Sequence, residues 1–226
     1  MKGTAYGVGV GPGDPELMTR KAVRLIRENE IIAVPGRVAT ESVAYKIAIQ
    51  AVPELAEKEL VPVEIPMVKA RGQIEQAHQN AVARLKVYLD QGKNVVYLTL
   101  GDPTIYCSFS YLQHILEAEG YPVELVSGVP SFCAVAARLK LPLAEWDEPL
   151  HILPAAYKTA ETLNLPGTYV LMKSAREMPT VKARLRESGR SAAAVTDCGM
   201  ATEAVYLSLD EIPDDAGYFS LMISKE

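Results

Sequence analysis

Three apolar, strand-sized runs in the first half of the chain each break into a turn built on glycine, and each turn opens onto a helical pattern. Thr4 to Val10 ends in the Gly-rich turn Gly7-Val8-Gly9-Val10-Gly11-Pro12-Gly13-Asp14-Pro15, Asn94 to Leu100 runs into Gly101-Asp102-Pro103-Thr104, and Pro122 to Val126 into Ser127-Gly128-Val129-Pro130. Parallel strands need a long crossover, usually a helix, so this order predicts a parallel sheet. The unbroken apolar character of Asn94 to Leu100 marks a strand covered on both faces. In open sheets of this kind, ligands gather at the carboxyl ends of the strands, where all three turns fall.

The remaining pattern fills in the same architecture. Asp14 as N-cap and Pro15 at the first helical position predict a helix from there, with Met18, Ala22, Leu25 and Ile26 on its apolar face. Ile31 to Val34 reads as a buried strand and Leu60 to Ile65 as a Pro-interrupted edge segment. Helices are expected over 42–51, 71–90, 108–119 and 131–139. A shift in composition at Leu141 to Pro149 suggests a linker, dividing the chain into a parallel α/β domain (1–140) and a mixed α/β domain (150–226). In the second part, strands are expected over 150–154, 169–173, 191–196, 203–209 and 218–224. Helices are expected over 159–163 and 178–187, and some of the strand pairing is antiparallel.

Composition excludes more than it identifies. The chain has 226 residues, 49% of them apolar, and a formal charge of −5. That is a globular chain with no chain-wide surface for nucleic acid or anionic membrane. No apolar run approaches the ~20 residues of a membrane helix, and the Gly-dense start lacks the apolar core of a signal peptide. The scattered Cys107, Cys133 and Cys198 suit reduced thiols in the cytoplasm.

Familiar catalytic patterns are missing. No Gly-Lys-Ser/Thr follows the first turn, and Pro12 and Asp14 occupy the positions where a dinucleotide fingerprint needs its third glycine. This counts against a nicotinamide-dependent reductase. Gly128-Val129-Pro130-Ser131 is not a nucleophile elbow. Glu75 and His78 form half of a di-iron pattern without its second copy, which favours a solvated helix face, and His114 and His151 have no partner at metal-ligand spacing. No protein-bound metal is expected. A non-catalytic ligand carrier stays open on these residues, and Tyr106, Tyr111 and Lys173 each have a purely structural alternative.

Taken together, the motifs resemble a known family, the tetrapyrrole methylases that use S-adenosylmethionine (SAM). The resemblance rests on Gly-x-Gly-Pro-Gly-Asp-Pro-Glu-Leu-x-Thr, met by Gly9 to Thr19, on Gly101 to Pro103, and on the Gly-x-x-Ser turn Gly128 to Ser131. It runs in order over essentially the whole chain. Within the family, Tyr97 to Leu112, Leu150 to Ala155, Leu171-Met172-Lys173 and Tyr218-Phe219-Ser220 look most like the C20 methyltransferases of cobalamin synthesis. The uroporphyrinogen members carry an Arg- and Gly-rich turn where Tyr106-Cys107-Ser108 stands here. The diphthine-forming members fit these stretches less well, and Cys107 occupies a position where the pattern suggests Ser.

The resemblance implies two α/β domains of the class III methyltransferase fold, with SAM folded in the cleft between them. It implies SAM contacts from Leu100, Gly101, Asp102, Ile105, Tyr106, Pro130, Ser131, Met172, Gly199, Met200 and Ser220. Asp102 would offset the cofactor's positive charge. Exposed N–H groups of Gly11, Gly13 and Asp14, with Pro12 and Lys173, would face the tetrapyrrole. The implied reaction is an in-line attack of carbon C20 on the sulfonium methyl, releasing S-adenosylhomocysteine (SAH). Alignment alone can supply ~7–11 kcal/mol of such a barrier. No triad is required, and no residue is assigned to remove the C20 proton. Another carbon of a related tetrapyrrole is the alternative target, and metal-free and cobalt-containing macrocycles both stay open, with a lean to cobalt. A homodimer is expected, together with a basic cluster drawn from Arg37, Lys69, Arg71, Lys158, Lys173 and Arg176.

Overall fold

The computed structural model describes residues 1–65, 71–154, 163, 165–174 and 177–225. The chain divides into two compact units, Met1–Pro130 and Ser131–Glu226.

The first unit carries a five-stranded sheet of β1 (Ala5–Gly9), β2 (Ile31–Pro35), β3 (Glu59–Val63), β4 (Val95–Thr99) and β5 (Val123–Val126) in the order β3-β2-β4-β1-β5. Every pairing is parallel, as the strand–turn–helix order predicts. β4 is central and buried along its whole length, and Pro62 lies on the edge strand β3, where its missing N–H breaks no ladder bond. Side chains alternate between the two faces. On one face Ala5, Ile31, Ala33, Val61, Val63, Val95 and Tyr97 pack against Val82, Leu85 and Leu89 of α3 (Arg71–Leu89) and Phe109, Leu112 and Leu116 of α4 (Phe109–Ala118). Val8, Ile32, Val34, Val96 and Leu98 fall on the other face and are fully buried. α2 (Val43–Ala51) packs on β2 and β4.

Gly7 has a packing reason. A Cβ built there would lie 2.3 Å from the buried ring of Phe109. The strand therefore gives up a side chain to seat the first residue of α4.

Four expectations change in this description. The helix predicted from Asp14 is split. Asp14 Oδ1 accepts from Glu16 N–H at 2.8 Å and caps only a 3₁₀ turn, Pro15–Leu17. Thr19 then caps α1 (Arg20–Glu28), accepting from Ala22 N–H at 3.2 Å. Threonine bonds neighbouring backbone better as a cap than within a helix, and Thr19 Oγ1 also lies 3.4 Å from Ser127 O. His78 is not on a solvated face: it is 6% exposed and stacks on Tyr111 at 4.7 Å. Burial pushes its imidazole below the ordinary range.

The third change concerns α5 (Ser131–Leu139), which belongs to the second compact unit, so the division falls at Pro130/Ser131 rather than at 140–150. The reason is packing, since α5 lies on β8 (Ser191–Thr196) and β10 (Ser220–Lys225). The segment read as a linker is also tied into that unit. Glu148 bonds Lys225 at 3.1 Å and accepts from Thr168 Oγ1 at 2.7 Å.

The second sheet is mixed, in the order β6-β7-β10-β8-β9. β6 (Leu150–Pro154) and β7 (Thr168–Met172) are parallel, and β10 runs antiparallel to both β7 and β8. The fourth change is that β9 spans only Ala204–Tyr206. Glu211 ends it by accepting from Leu207 N–H at 2.9 Å and from Ser208 Oγ at 3.2 Å. α6 (Met178–Glu187) covers one face through Met178, Val181 and Leu185. The helix expected over 159–163 falls almost wholly outside the described residues.

The Gly7–Phe109 contact gives a direct test. Gly7→Ala should lower unfolding stability by about 1–3 kcal/mol, the scale of an overpacked core site. Urea denaturation checks it, and an unchanged midpoint would show that Phe109 can move aside.

Candidate active site

In the first unit, three turns that are far apart in sequence meet at the carboxyl ends of β1, β4 and β5. Gly11 and Gly101 form an antiparallel bridge, with Gly101 N–H donating to Gly11 O at 2.8 Å. A Cβ on Gly9 would come within 2.4 Å of Gly101 O and 2.7 Å of Gly128 N, and one on Gly128 within 2.1 Å of Gly101 O. The three backbones touch, and any side chain at Gly9 or Gly128 would force them apart.

Asp102 completes the junction. It is 7% exposed. Oδ1 accepts from Thr104 N–H at 2.8 Å and from Thr104 Oγ1 at 2.5 Å, and Oδ2 accepts from Gly128 N–H at 3.0 Å. The carboxylate thus folds the second turn on itself and joins it to the third. Both oxygens face protein donors, so Asp102 offers a nearby negative charge rather than a free ligand for a cation. Beyond it, Ile105 is half-buried, and Tyr106 is 47% exposed with φ 47°. Leu100 and Pro130 are half-buried beside the same turns. Cys107 does what a serine would do here: its Sγ lies 3.0 Å from Thr99 Oγ1 and accepts from Phe109 N–H at 3.3 Å at the start of α4.

The first turn differs from expectation. Gly11, Pro12 and Gly13 are buried and Asp14 is half-buried. Gly11 N–H points at Gly101 O (3.4 Å), and Pro12 has no N–H. Gly11 is thus used to build the glycine junction rather than left open as a donor to a carboxylate.

In the second unit, antiparallel β10 begins where β7 and β8 end. Leu221 pairs with Met172, and Ser220 with Thr196. This brings Met172, Lys173, Ser220 and the Gly199–Met200 turn to one end of the sheet. Ser131 opens α5 of the same unit. Ser220 is 2% exposed, and its hydroxyl is engaged, donating to Gly217 O at 2.7 Å and lying 2.9 Å from Thr196 Oγ1. Its side chain is therefore not a free donor. Met172, Lys173 and Met200 are half-buried, and Gly199 is exposed.

Backbone strain marks the same places. Of the five non-glycine residues at positive φ among the described residues, Tyr106, Lys173 and Asp197 stand in the turns after β4, β7 and β8. Such conformations persist only where surroundings impose them, and they concentrate at functional sites. Asp197 escaped the sequence reading because nothing in its neighbours demands φ 51°. Glu203 and Arg138, which brace the following turn, escaped it too, since their pairing is set by the tertiary fold.

The expected basic cluster is only partly within view. Lys69, Lys158 and Arg176 lie outside the described residues, and Arg71 opens α3. Arg37 is exposed and paired with Glu64 at 2.7 Å. Among the described residues, no three His, Cys, Asp or Glu side chains gather as a metal site. No helix there is long and apolar enough to cross a membrane.

The turns suit SAM chemically. In the first unit, Leu100 and Ile105 are half-buried apolar side chains beside the Asp102 carboxylate; in the second, Met172 and Met200 are half-buried at the end of the sheet. Comparison with known proteins agrees. A protein of Methanocaldococcus jannaschii named a probable cobalt-precorrin-2 C(20)-methyltransferase is 36% identical over 75% of this chain and 71% of its own. The precorrin-2 C(20)-methyltransferase of a Sinorhizobium species is 33% identical over 98% of this chain and 94% of its own. The uroporphyrin-III C-methyltransferase of Thermus thermophilus, solved with S-adenyl homocysteine, shares the fold with a TM-score of 0.74 at 24% identity, covering 99% of this chain and 98% of its own. The family model for tetrapyrrole (corrin/porphyrin) methylases matches residues 4–213. With that match spanning nearly the whole chain, and the three glycine turns joined as described, this protein belongs to the tetrapyrrole methylases.

Proposed function

We propose that this chain transfers a methyl group from SAM to C20 of a precorrin-2-type tetrapyrrole in cobalamin biosynthesis. The observation that carries the reading is the turn after β4. Asp102 folds it, Gly101 and Gly128 close it, and beyond it Ile105 is half-buried and Tyr106 is 47% exposed. Two relatives of 33–36% identity bear the C20 name, one for the cobalt macrocycle and one for the metal-free form. Both macrocycles therefore belong in the assay.

SAM supplies an activated methyl on a cationic sulfur, and its transfer to C20 leaves SAH. The chain's own task is to bind, orient and exclude water. We assign SAM contacts to Leu100, Gly101, Asp102, Ile105, Tyr106 and Pro130 of the first unit, and to Ser131, Met172, Gly199, Met200 and the Ser220 backbone of the second. Asp102 acts through its charge while its oxygens hold the turns in place. Pre-set turns lower the cost of reaching the aligned geometry, and alignment is the main term when donor and carbon are already reactive. Pro12, Gly13, Asp14 and Lys173 are assigned to the tetrapyrrole, with Gly11 setting the shape of the first turn. The protein acts in the cytoplasm, consistent with three cysteines that form no disulfide, and we propose that it does so as a homodimer.

Methyl transfer to cobalt-factor II and to precorrin-2 should each be followed by mass spectrometry, with NMR to locate the carbon. The expected product gains one methyl and loses the C20 proton, and methylation at another carbon would overturn the reading. SAM, but not NAD(P)H, should raise the melting temperature; saturation at 100 Kd corresponds to about 2.7 kcal/mol.

Asp102→Asn keeps an acceptor for Thr104 but sets an amide N–H₂ against Gly128 N–H or gives up that contact. It should cost about 1.5–3 kcal/mol of stability and weaken SAH binding by roughly tenfold or more. Calorimetry on the folded variant checks both, and wild-type affinity would remove Asp102 from the site. Sedimentation should give a mass near twice 24.6 kDa. A monomer at micromolar concentration would refute the dimer.

A further inference from the structure

In the second unit, the turn after β8 lacks regular secondary structure and is held by a compact set of bonds. Asp197 at φ 51° and Gly199 at φ 78° reverse the chain. Met200 N–H donates to Asp197 O at 2.9 Å, Glu203 N–H donates to Met200 O at 3.0 Å, and Thr202 Oγ1 donates to Asp197 Oδ2 at 2.7 Å. The loop closes on the Glu203 side chain. One carboxylate oxygen accepts from Gly199 N–H at 2.8 Å, and the other accepts from Arg138 Nε–H at 2.5 Å.

Arg138 lies in the last turn of α5, the helix that Ser131 begins. A single carboxylate therefore connects the Gly199–Met200 turn with the helix bearing Ser131. The Gly199 N–H, helped by Arg138, holds the Glu203 carboxyl below its ordinary range, so it is charged at neutral pH. Arg138 is half exposed (52%) while Glu203 is mostly covered (19%). An ion pair with one exposed partner adds little to global stability. Its geometric effect is larger, because it joins the turn to α5, while Asp197 N–H, donating to Phe219 O at 3.3 Å, joins it to the residue before β10.

We propose that Glu203, held by Arg138, is a positioning residue for methyl-donor binding: it sets the Gly199–Met200 turn and ties it to α5. This rests on the assignment of that turn to SAM. Glu203 touches no reacting atom and acts through the Gly199 backbone.

The test is calorimetric titration of SAH into the full-length wild-type protein, E203A, E203Q and R138M, with KM measured for SAM and for the tetrapyrrole. E203A should weaken SAH binding by about tenfold, the scale of one lost charge-assisted hydrogen bond, and raise the KM for SAM in step. The KM for the tetrapyrrole should not move. E203Q should recover affinity to within about threefold of wild type, because its amide oxygen still accepts from Gly199 N–H. A folded E203A with wild-type affinity overturns the proposal, and so does an E203Q no better than E203A. If E203A does not fold, R138M decides: a loss of about threefold or more supports the proposal, and unchanged affinity overturns it. A wild-type protein that binds no SAH would sink the cofactor assignment itself, which is distinct from a wild type that binds and an E203A that binds equally well.

Discussion

Asp102 accepts three hydrogen bonds from a buried position between two turns, and those turns, with the first, are in backbone contact at Gly9, Gly101 and Gly128. Each part of this junction requires the others. The backbones can touch only because the glycines have no side chains, and a buried carboxylate is tolerated only because its acceptors are satisfied. The parallel sheet makes the meeting possible by placing the ends of β1, β4 and β5 side by side, with β1 in register against both neighbours. Sheet order, glycine placement and one acid together set the shape of the first unit's functional edge.

Much of this was legible in the residues because each signal is local. An apolar run followed by Gly and a helical pattern is a strand, a turn and a crossover, and Asn94 to Leu100 became the central strand for that reason. The Gly-Asp-Pro turn announced a site in the same way. What local pattern could not supply was the reason behind some residues. Gly7 looked like part of a ligand-binding turn, yet it makes room for Phe109, a contact set by how α4 crosses the sheet. The first turn looked like an open row of donors, yet it is buried and bonded to Gly101. His78 looked solvated because its helix is polar on many sides, and only the crossing of α3 by α4 brings Tyr111 over it. Glu203 and Arg138, 65 positions apart, pair through the tertiary fold.

The second unit reaches a similar arrangement by different means. Its functional turns are gathered by an antiparallel strand, since β10 starts where β7 and β8 stop. Among its described residues no glycine junction joins these turns. Lys173 and Asp197 instead take left-handed conformations, Asp197 held by its bonds to Met200 N–H and Thr202 Oγ1, and the hydroxyls of Thr196 and Ser220 close the strand ends on each other. One sheet uses missing side chains to bring turns together, and the other uses strained backbone and side-chain bonds.

The placement of α5 bears on how this chain can be divided. The helix begins at Ser131, directly after the third glycine turn, yet its apolar residues Phe132, Val135 and Leu139 are buried and it packs on β8 and β10. A cut in the exposed, acidic stretch near Trp146 would look harmless by composition. It would leave α5 on the wrong fragment and uncover the second sheet along Ala193, Val195, Leu221 and Ile223, which α5's neighbouring strands contribute to the core. Such a fragment would present a bare apolar sheet face to its own copies and aggregate, whereas a fragment beginning at Ser131 keeps the helix that covers it.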